Sequence, residues 1–105
     1  MKPARLIIDR IWNNTNWTLN VQNQNLMTNT LIPALAKLLP GGGSAYLNEG
    51  NFQEANWQQV FYGVNYKTLL HTKARYDPNH LFWGTTAVGS ECWAETDDKR
   101  LCRAS

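Results

Sequence analysis

Two apolar stripes that cannot share one straight helix constrain this chain more than any other feature. Trp57, Val60, Phe61 and Val64 recur at the i, i+3, i+4, i+7 spacing of one helical face. Tyr66, Leu69 and Leu70 form a second stripe, displaced by about half a turn from where roughly 3.6 residues per turn would carry the first. Gly63 stands near the junction and can absorb the break. The spacing therefore predicts a short helix over 56–62 and a longer one over 64–75, set at an angle to it. Asn56 followed by Gln59 has the form of a capping box. Lys73 and Arg75 fall in the last turn, where positive charge suits the helix dipole.

The rest of the chain is organised by punctuation. Leu31, Ile32, Leu35, Leu38 and Leu39 predict a helix over 25–39, with Pro33 in its first turn and Pro40-Gly41-Gly42-Gly43 ending it. A strand is expected over Arg5–Ile11 and another over Ser44–Asn48. Asp77-Pro78-Asn79-His80 reads as a turn, and Leu81, Phe82 and Trp83 as an apolar anchor after it. The expected class is α+β, with short strands and about three helices.

Bulk properties exclude several functions. A net charge of +2 is too small and too scattered for a nucleic-acid partner. The cluster of Lys99, Arg100 and Arg103 adjoins Asp97 and Asp98 and reads as a solvated tail. No apolar run reaches the roughly 18 residues of a membrane span. Leu6-Ile7-Ile8 is cut short by Asp9, unlike a signal peptide. Two N-glycosylation sequons, Asn13-Asn14-Thr15 and Asn16-Trp17-Thr18, nevertheless tilt the reading towards secretion and towards a longer polypeptide that starts upstream. Cys92 and Cys102 could close a short disulfide loop, stay as thiols, or bridge elsewhere.

His71, His80, Cys92 and Cys102 lack the tight spacing of a metal site. No serine sits in a nucleophile elbow. The glycine run 41–43 follows a helix, whereas a phosphate cradle precedes one. Trp57, Phe61, Tyr62, Tyr66, Tyr76, Phe82 and Trp83 could form a flat carbohydrate-binding face, or could simply pack. Tyr46 and Asn48, two residues apart, would share a face of a strand. A phenol beside an amide can orient a substrate hydroxyl and bond the polar edge of a ring; the plain alternative is an ordinary edge strand.

Four ordered blocks carry a wider likeness: P-G-G-G-S-A-Y-L-N-E at 40–49, W-x-x-x-F-Y-G-x-N-Y-x-x-L at 57–69, K-A-R-Y-D-P-N-H-L-F at 73–82 and T-A-V-G-S-E at 86–91. Together they resemble the C-terminal berberine-like segment of FAD-linked oxidoreductases, and most resemble its fungal members. The resemblance implies a berberine-like domain over 31–105, preceded by part of a substrate domain over 1–30. It implies the incomplete C-terminal portion of the substrate (cap) domain of a flavin oxidase, a secreted glycoprotein when full-length. Such an enzyme would oxidise an alcohol, sugar or related small molecule by hydride transfer to FAD, with O2 as acceptor. By the same resemblance Tyr46 is the candidate catalytic residue, and Asn48 and Asn65 are candidate flavin contacts. The partners implied are a small-molecule substrate and the FAD-binding domain of the same polypeptide, with no nucleic acid and no membrane. The residues that link flavin covalently in this family lie outside the matched blocks, so Cys92 and His71 take no such role. The chain by itself is expected to be inactive. The reading from another class is a small aromatic-rich module that binds carbohydrate without redox chemistry.

Overall fold

A computed structural model describes residues 6–104. The chain divides into two units, Met1–Gly42 and Gly43–Ser105.

In the first unit, residues 6–12 have no regular structure. The strand expected over Arg5–Ile11 does not form in its described part (Arg5 lies outside the described residues): no neighbouring strand is present there to take up its backbone groups. Helix α1 spans Trp17–Leu26, a widened π-helical turn spans Met27–Leu31, and α2 spans Ile32–Ala36. The junctions keep helical dihedrals, so the three form one continuous run. Its start lies well before the expected residue 25. Asn16 caps it, its side-chain oxygen accepting from the Leu19 amide at 2.9 Å. The Asn- and Gln-rich stretch of α1 has no apolar stripe, which is why periodicity passed over it.

Pro33 consequently stands within the helical run rather than in its first turn. Its ring crowds the preceding turn and it lacks the N–H that would bond back four residues. The π turn answers both demands: the Ile32 amide reaches back five residues to the Met27 carbonyl. After α2 the chain passes through Gly41 at φ 72°, and the helix stops close to where the Pro-Gly run predicts.

In the second unit, residues 44–48 are not a strand. One hydrogen bond, Ala45 N–H to the Val60 carbonyl at 3.0 Å, holds the segment down. The backbone then closes a single 3-10 turn over Leu47–Glu49, with the Glu49 amide bonded to the Tyr46 carbonyl at 2.9 Å. The helix expected over 56–62 is a π-helical turn, Gln58–Tyr62. The capping box is absent as well: the Asn56 amide donates to Glu54 Oε1 at 3.0 Å, two residues upstream.

The break at Gly63 is where the stripes require it. Its φ of 56° and ψ of −137° belong to a region that only glycine occupies freely. A short 3-10 turn, Gly63–Asn65, leads into α3, Tyr66–Tyr76, with Lys73 and Arg75 in its last turn. The predicted turn follows, the His80 amide bonding the Asp77 carbonyl at 3.0 Å. Strands β1 (Trp93–Glu95) and β2 (Leu101–Arg103) then form an antiparallel hairpin.

The hairpin decides the state of the cysteines. Ala94 faces Cys102, while the Cys92 carbonyl accepts from Ala104, so the two cysteines sit diagonally across the ladder. Diagonal pairs stand about 7–8 Å apart, at or past the upper limit of disulfide reach. Both thiols are free. The basic cluster is tied up locally: Lys99 pairs with Glu95, Arg100 with Asp98, and the Arg103 guanidinium lies 4.8 Å from the centre of the Trp93 ring.

With α1–α3 and β1–β2 the chain is α+β, as expected from its sequence. No apolar side chain among the described residues is buried. No helix among them is long and apolar enough to cross a membrane.

Candidate functional site

Tyr46 and Asn48 do come together, for a reason the sequence did not reveal. On a strand they would merely share a face; here the turn over Leu47–Glu49 folds one back on the other. Asn48 Nδ2 donates to the Tyr46 hydroxyl oxygen at 2.7 Å. Tyr46 is 61% exposed, so its ring and hydroxyl face outward from the turn. The bond fixes the direction of the phenol and leaves its O–H able to donate to a third group. Asn48 keeps its carbonyl oxygen as an acceptor.

Asn65 stands apart. It occupies the N-terminal flank of α3 with helical dihedrals, and its side chain makes no capping bond. Among the described residues no hydrogen bond or ring contact links it to the Tyr46–Asn48 pair.

A second constellation was not singled out from the sequence. Tyr66 donates to Glu91 Oε1 at 2.5 Å, and Gln58 Nε2 donates to the same oxygen at 3.2 Å. The Gly89 amide donates to the Tyr66 hydroxyl at 3.2 Å. Trp57 packs edge-on against Tyr66 and Tyr62, with centroids 5.5 and 6.1 Å away. Tyr62 donates to the Thr86 carbonyl at 3.0 Å. Burial pushes the Tyr66 phenol above its usual range, and the Glu91 carboxylate adds to the shift. Burial likewise raises Tyr62. This network ties the region around Gly63 to the T-A-V-G-S-E block, so two separated motifs become one structure. The signal available in the sequence was an unexplained Glu91 beside a polar-tipped Tyr66 on the second stripe.

Beside the network lies an open concavity of about 330 Å³, lined by Phe52, Glu54, Trp57, Trp83, Glu91 and Trp93 among others. The indole N–H groups of Trp83 and Trp93 are bonded to the Ser90 and His80 carbonyls at 3.1 and 2.9 Å, which fixes both rings. Tyr46, Asn48 and Asn65 do not line it.

Asp77 organises the turn after α3. Its carboxylate accepts from the Leu81 and Phe82 amides at 2.8 and 3.0 Å and from Lys73, whose ammonium also reaches the Phe82 carbonyl at 2.6 Å. The Lys73 hydrogen bond foremost, with the two amides, holds the Asp77 pKa down at about 2. No group of three or more His, Cys, Asp or Glu among the described residues could hold a metal ion.

As to cofactors, the Tyr46–Asn48 pair suits the polar edge of a flavin ring, with one acceptor and one hydroxyl donor available side by side. The glycines at 41–43, all at positive φ, close a helix end instead of opening one.

Comparison with known proteins agrees with these blocks. The berberine and berberine-like family profile matches residues 45–89. The chain is 64% identical over 94 residues to the FAD-linked oxidoreductase sor8 of Hypocrea jecorina, covering 90% of this chain and 16% of that protein. It is 43% identical over 89 residues to the FAD-linked oxidoreductase ZEB1 of Gibberella zeae, covering 85% and 16%. A crystallised VAO-type flavoprotein from Myceliophthora thermophila superposes with a TM-score of 0.80 at 41% identity, over 89% of this chain and 17% of that one. The chain thus spans about one sixth of the length of these relatives. Sequence blocks, backbone and relatives agree: the chain carries the berberine-like segment of the fungal FAD-linked oxidoreductases.

Proposed function

We propose that this chain is the C-terminal part of a secreted FAD-dependent oxidase acting on an alcohol, sugar or related small molecule, with O2 as the final acceptor. The observation that carries the reading is the Tyr46–Asn48 hydrogen bond, inside the matched region, on a turn that presents a directed phenol outward. FAD, when bound, supplies the hydride acceptor. The chain's own part is narrower. Tyr46 relays the proton of the substrate hydroxyl, its phenolic oxygen taking that proton as its own O–H proton passes to solvent, while the carbon-bound hydrogen leaves with its electron pair. Asn48 holds that oxygen in place and offers its carbonyl to the polar edge of the ring. Asn65 is assigned a supporting flavin contact by family likeness alone.

The test is Tyr46→Phe in the full-length flavoprotein, followed by the rate of flavin reduction under anaerobic substrate. Loss of a positioned acid–base group costs roughly 10²–10⁴-fold, so a fall of that order is expected with flavin content unchanged. A rate within a few-fold of the parent would remove Tyr46 from the chemistry. The 105-residue chain by itself is expected to retain no FAD and to be inactive.

One observation favours a second reading. The concavity with three tryptophans and two glutamates at its rim has the composition of a sugar-binding face. Glycan binding by the 105-residue chain, with no flavin in the full-length protein, would favour that module instead.

A further inference from the structure

An N-linked glycan is joined through the side-chain amide nitrogen of Asn in N-x-Ser/Thr. The modified amide keeps its carbonyl oxygen as an acceptor. A folded asparagine therefore accommodates a glycan when its oxygen holds the local structure and its nitrogen is not needed. Both sequon asparagines, three residues apart, meet this criterion, and it is exposure that separates them.

Asn16 meets the criterion. Its Oδ1 accepts from the Leu19 amide at 2.9 Å and caps α1, and no hydrogen bond among the described residues uses its Nδ2. The residue is exposed. Asn13 is half-buried. The buried Asn20 clasps its backbone on both sides, accepting from the Asn13 amide at 2.9 Å and donating to its carbonyl at 2.8 Å. Asn13 Oδ1 in turn accepts from the Thr15 amide and hydroxyl, both at 2.9 Å. A sugar on Asn13 would have to leave from a half-buried side chain whose backbone is pinned on both sides. Branched glycans at both sites would also crowd each other.

We propose that Asn16 is the N-glycosylated residue of this chain and that Asn13 stays unmodified. The sugar joins the cap without breaking it. Trp12 and Trp17, 58% and 70% exposed with ring centroids 5.7 Å apart in an edge-to-face pair, flank the site. They offer the C–H face of the first sugar an apolar surface. The proposal entails passage of the polypeptide through a compartment where glycans are attached. It is independent of the flavin reading, since neither FAD content nor turnover enters its readout.

The experiment is peptide mass mapping of the full-length protein secreted from a fungal host, before and after an amidase that releases N-glycans and leaves aspartate at each former site. The expected result is a tag at position 16 alone. Thr18→Ala destroys that sequon while leaving the Asn16 cap in place, and should abolish the glycan; Thr15→Ala should leave it. A tag at position 13, tags at both positions, or none would overturn the proposal. Mapping of the unmutated protein decides the matter even if a variant is not secreted.

Discussion

Gly89→Ala is the sharpest single test of the second unit. Gly89 sits at φ 80°, in the left-handed region, which costs an L-residue about 1–2 kcal/mol. A Cβ there would lie 2.8 Å from His80 Nδ1 and 2.9 Å from His80 Cε1, closer than real contacts allow, though only 3.5 Å from Leu70 Cδ1. The ring has little room to yield. His80 is itself at φ 51°, its Nδ1 is buried without a partner, and its Nε2 faces the Cys92 thiol at 3.7 Å. Overpacking of this kind costs about 1–3 kcal/mol. The two terms sum to about 2–5 kcal/mol. At about 4–8 °C per kcal/mol for a domain of this size, melting should fall by at least about 8 °C.

Thermal unfolding followed by tryptophan fluorescence suits the question, because Trp83 and Trp93 bond to this same loop. A double-mutant cycle separates the two costs. His80→Gly removes the ring and is at ease at positive φ, so in that background Gly89→Ala should lose its clash and retain only the backbone cost of about 1–2 kcal/mol. A Gly89→Ala variant as stable as the parent would refute the reasoning. So would an undiminished cost in the His80→Gly background.

Two further outcomes follow from the titrating groups. The Asp77 pKa is depressed from 3.8 to about 2, so its contribution to the 77–82 turn is complete above pH 3.8 and is lost as pH falls towards 2. Amide exchange at Leu81 and Phe82 should accelerate across that window, and Asp77→Asn should accelerate it already at neutral pH. The Tyr66 pKa is raised above 10.0, by burial first and then by Glu91, so its contribution is complete below pH 10.0 and is lost as pH climbs through the folded value. Glu91→Gln should move the Tyr66 titration down towards 10.0, read as tyrosinate absorbance against a Tyr66→Phe blank; an unmoved curve would show that the carboxylate plays no part.

What could be read from the chain without its structure followed from periodicity and punctuation. The helix break at Gly63, α3 with its basic last turn, the stop near Gly41 and the turn at Asp77 are all local consequences of side-chain spacing, backbone freedom or dipole. The family likeness was legible for a related reason: its blocks are short, ordered and contiguous. Errors arose where local pattern had no say. The polar α1 carries no stripe, so only its cap reveals it. Sequence rules put Pro33 at a helix start, because a π turn that tolerates an internal proline leaves no simple mark in the sequence. Residues 44–48 alternate like a strand, yet find no partner strand to pair with.

The candidate site divides along the same line. The residue types at Tyr46 and Asn48 and the spacing between them were written in the chain; their meeting at 2.7 Å was decided by a turn. The joining of Tyr66 and Gln58 to Glu91, across 25 and 33 residues, was decided wholly by tertiary structure. So was the separation of Cys92 from Cys102, which rests on hairpin register. Short-range order follows from each residue's own backbone and its neighbours three or four away. Long-range contacts depend on how elements dock, and no spacing rule encodes that.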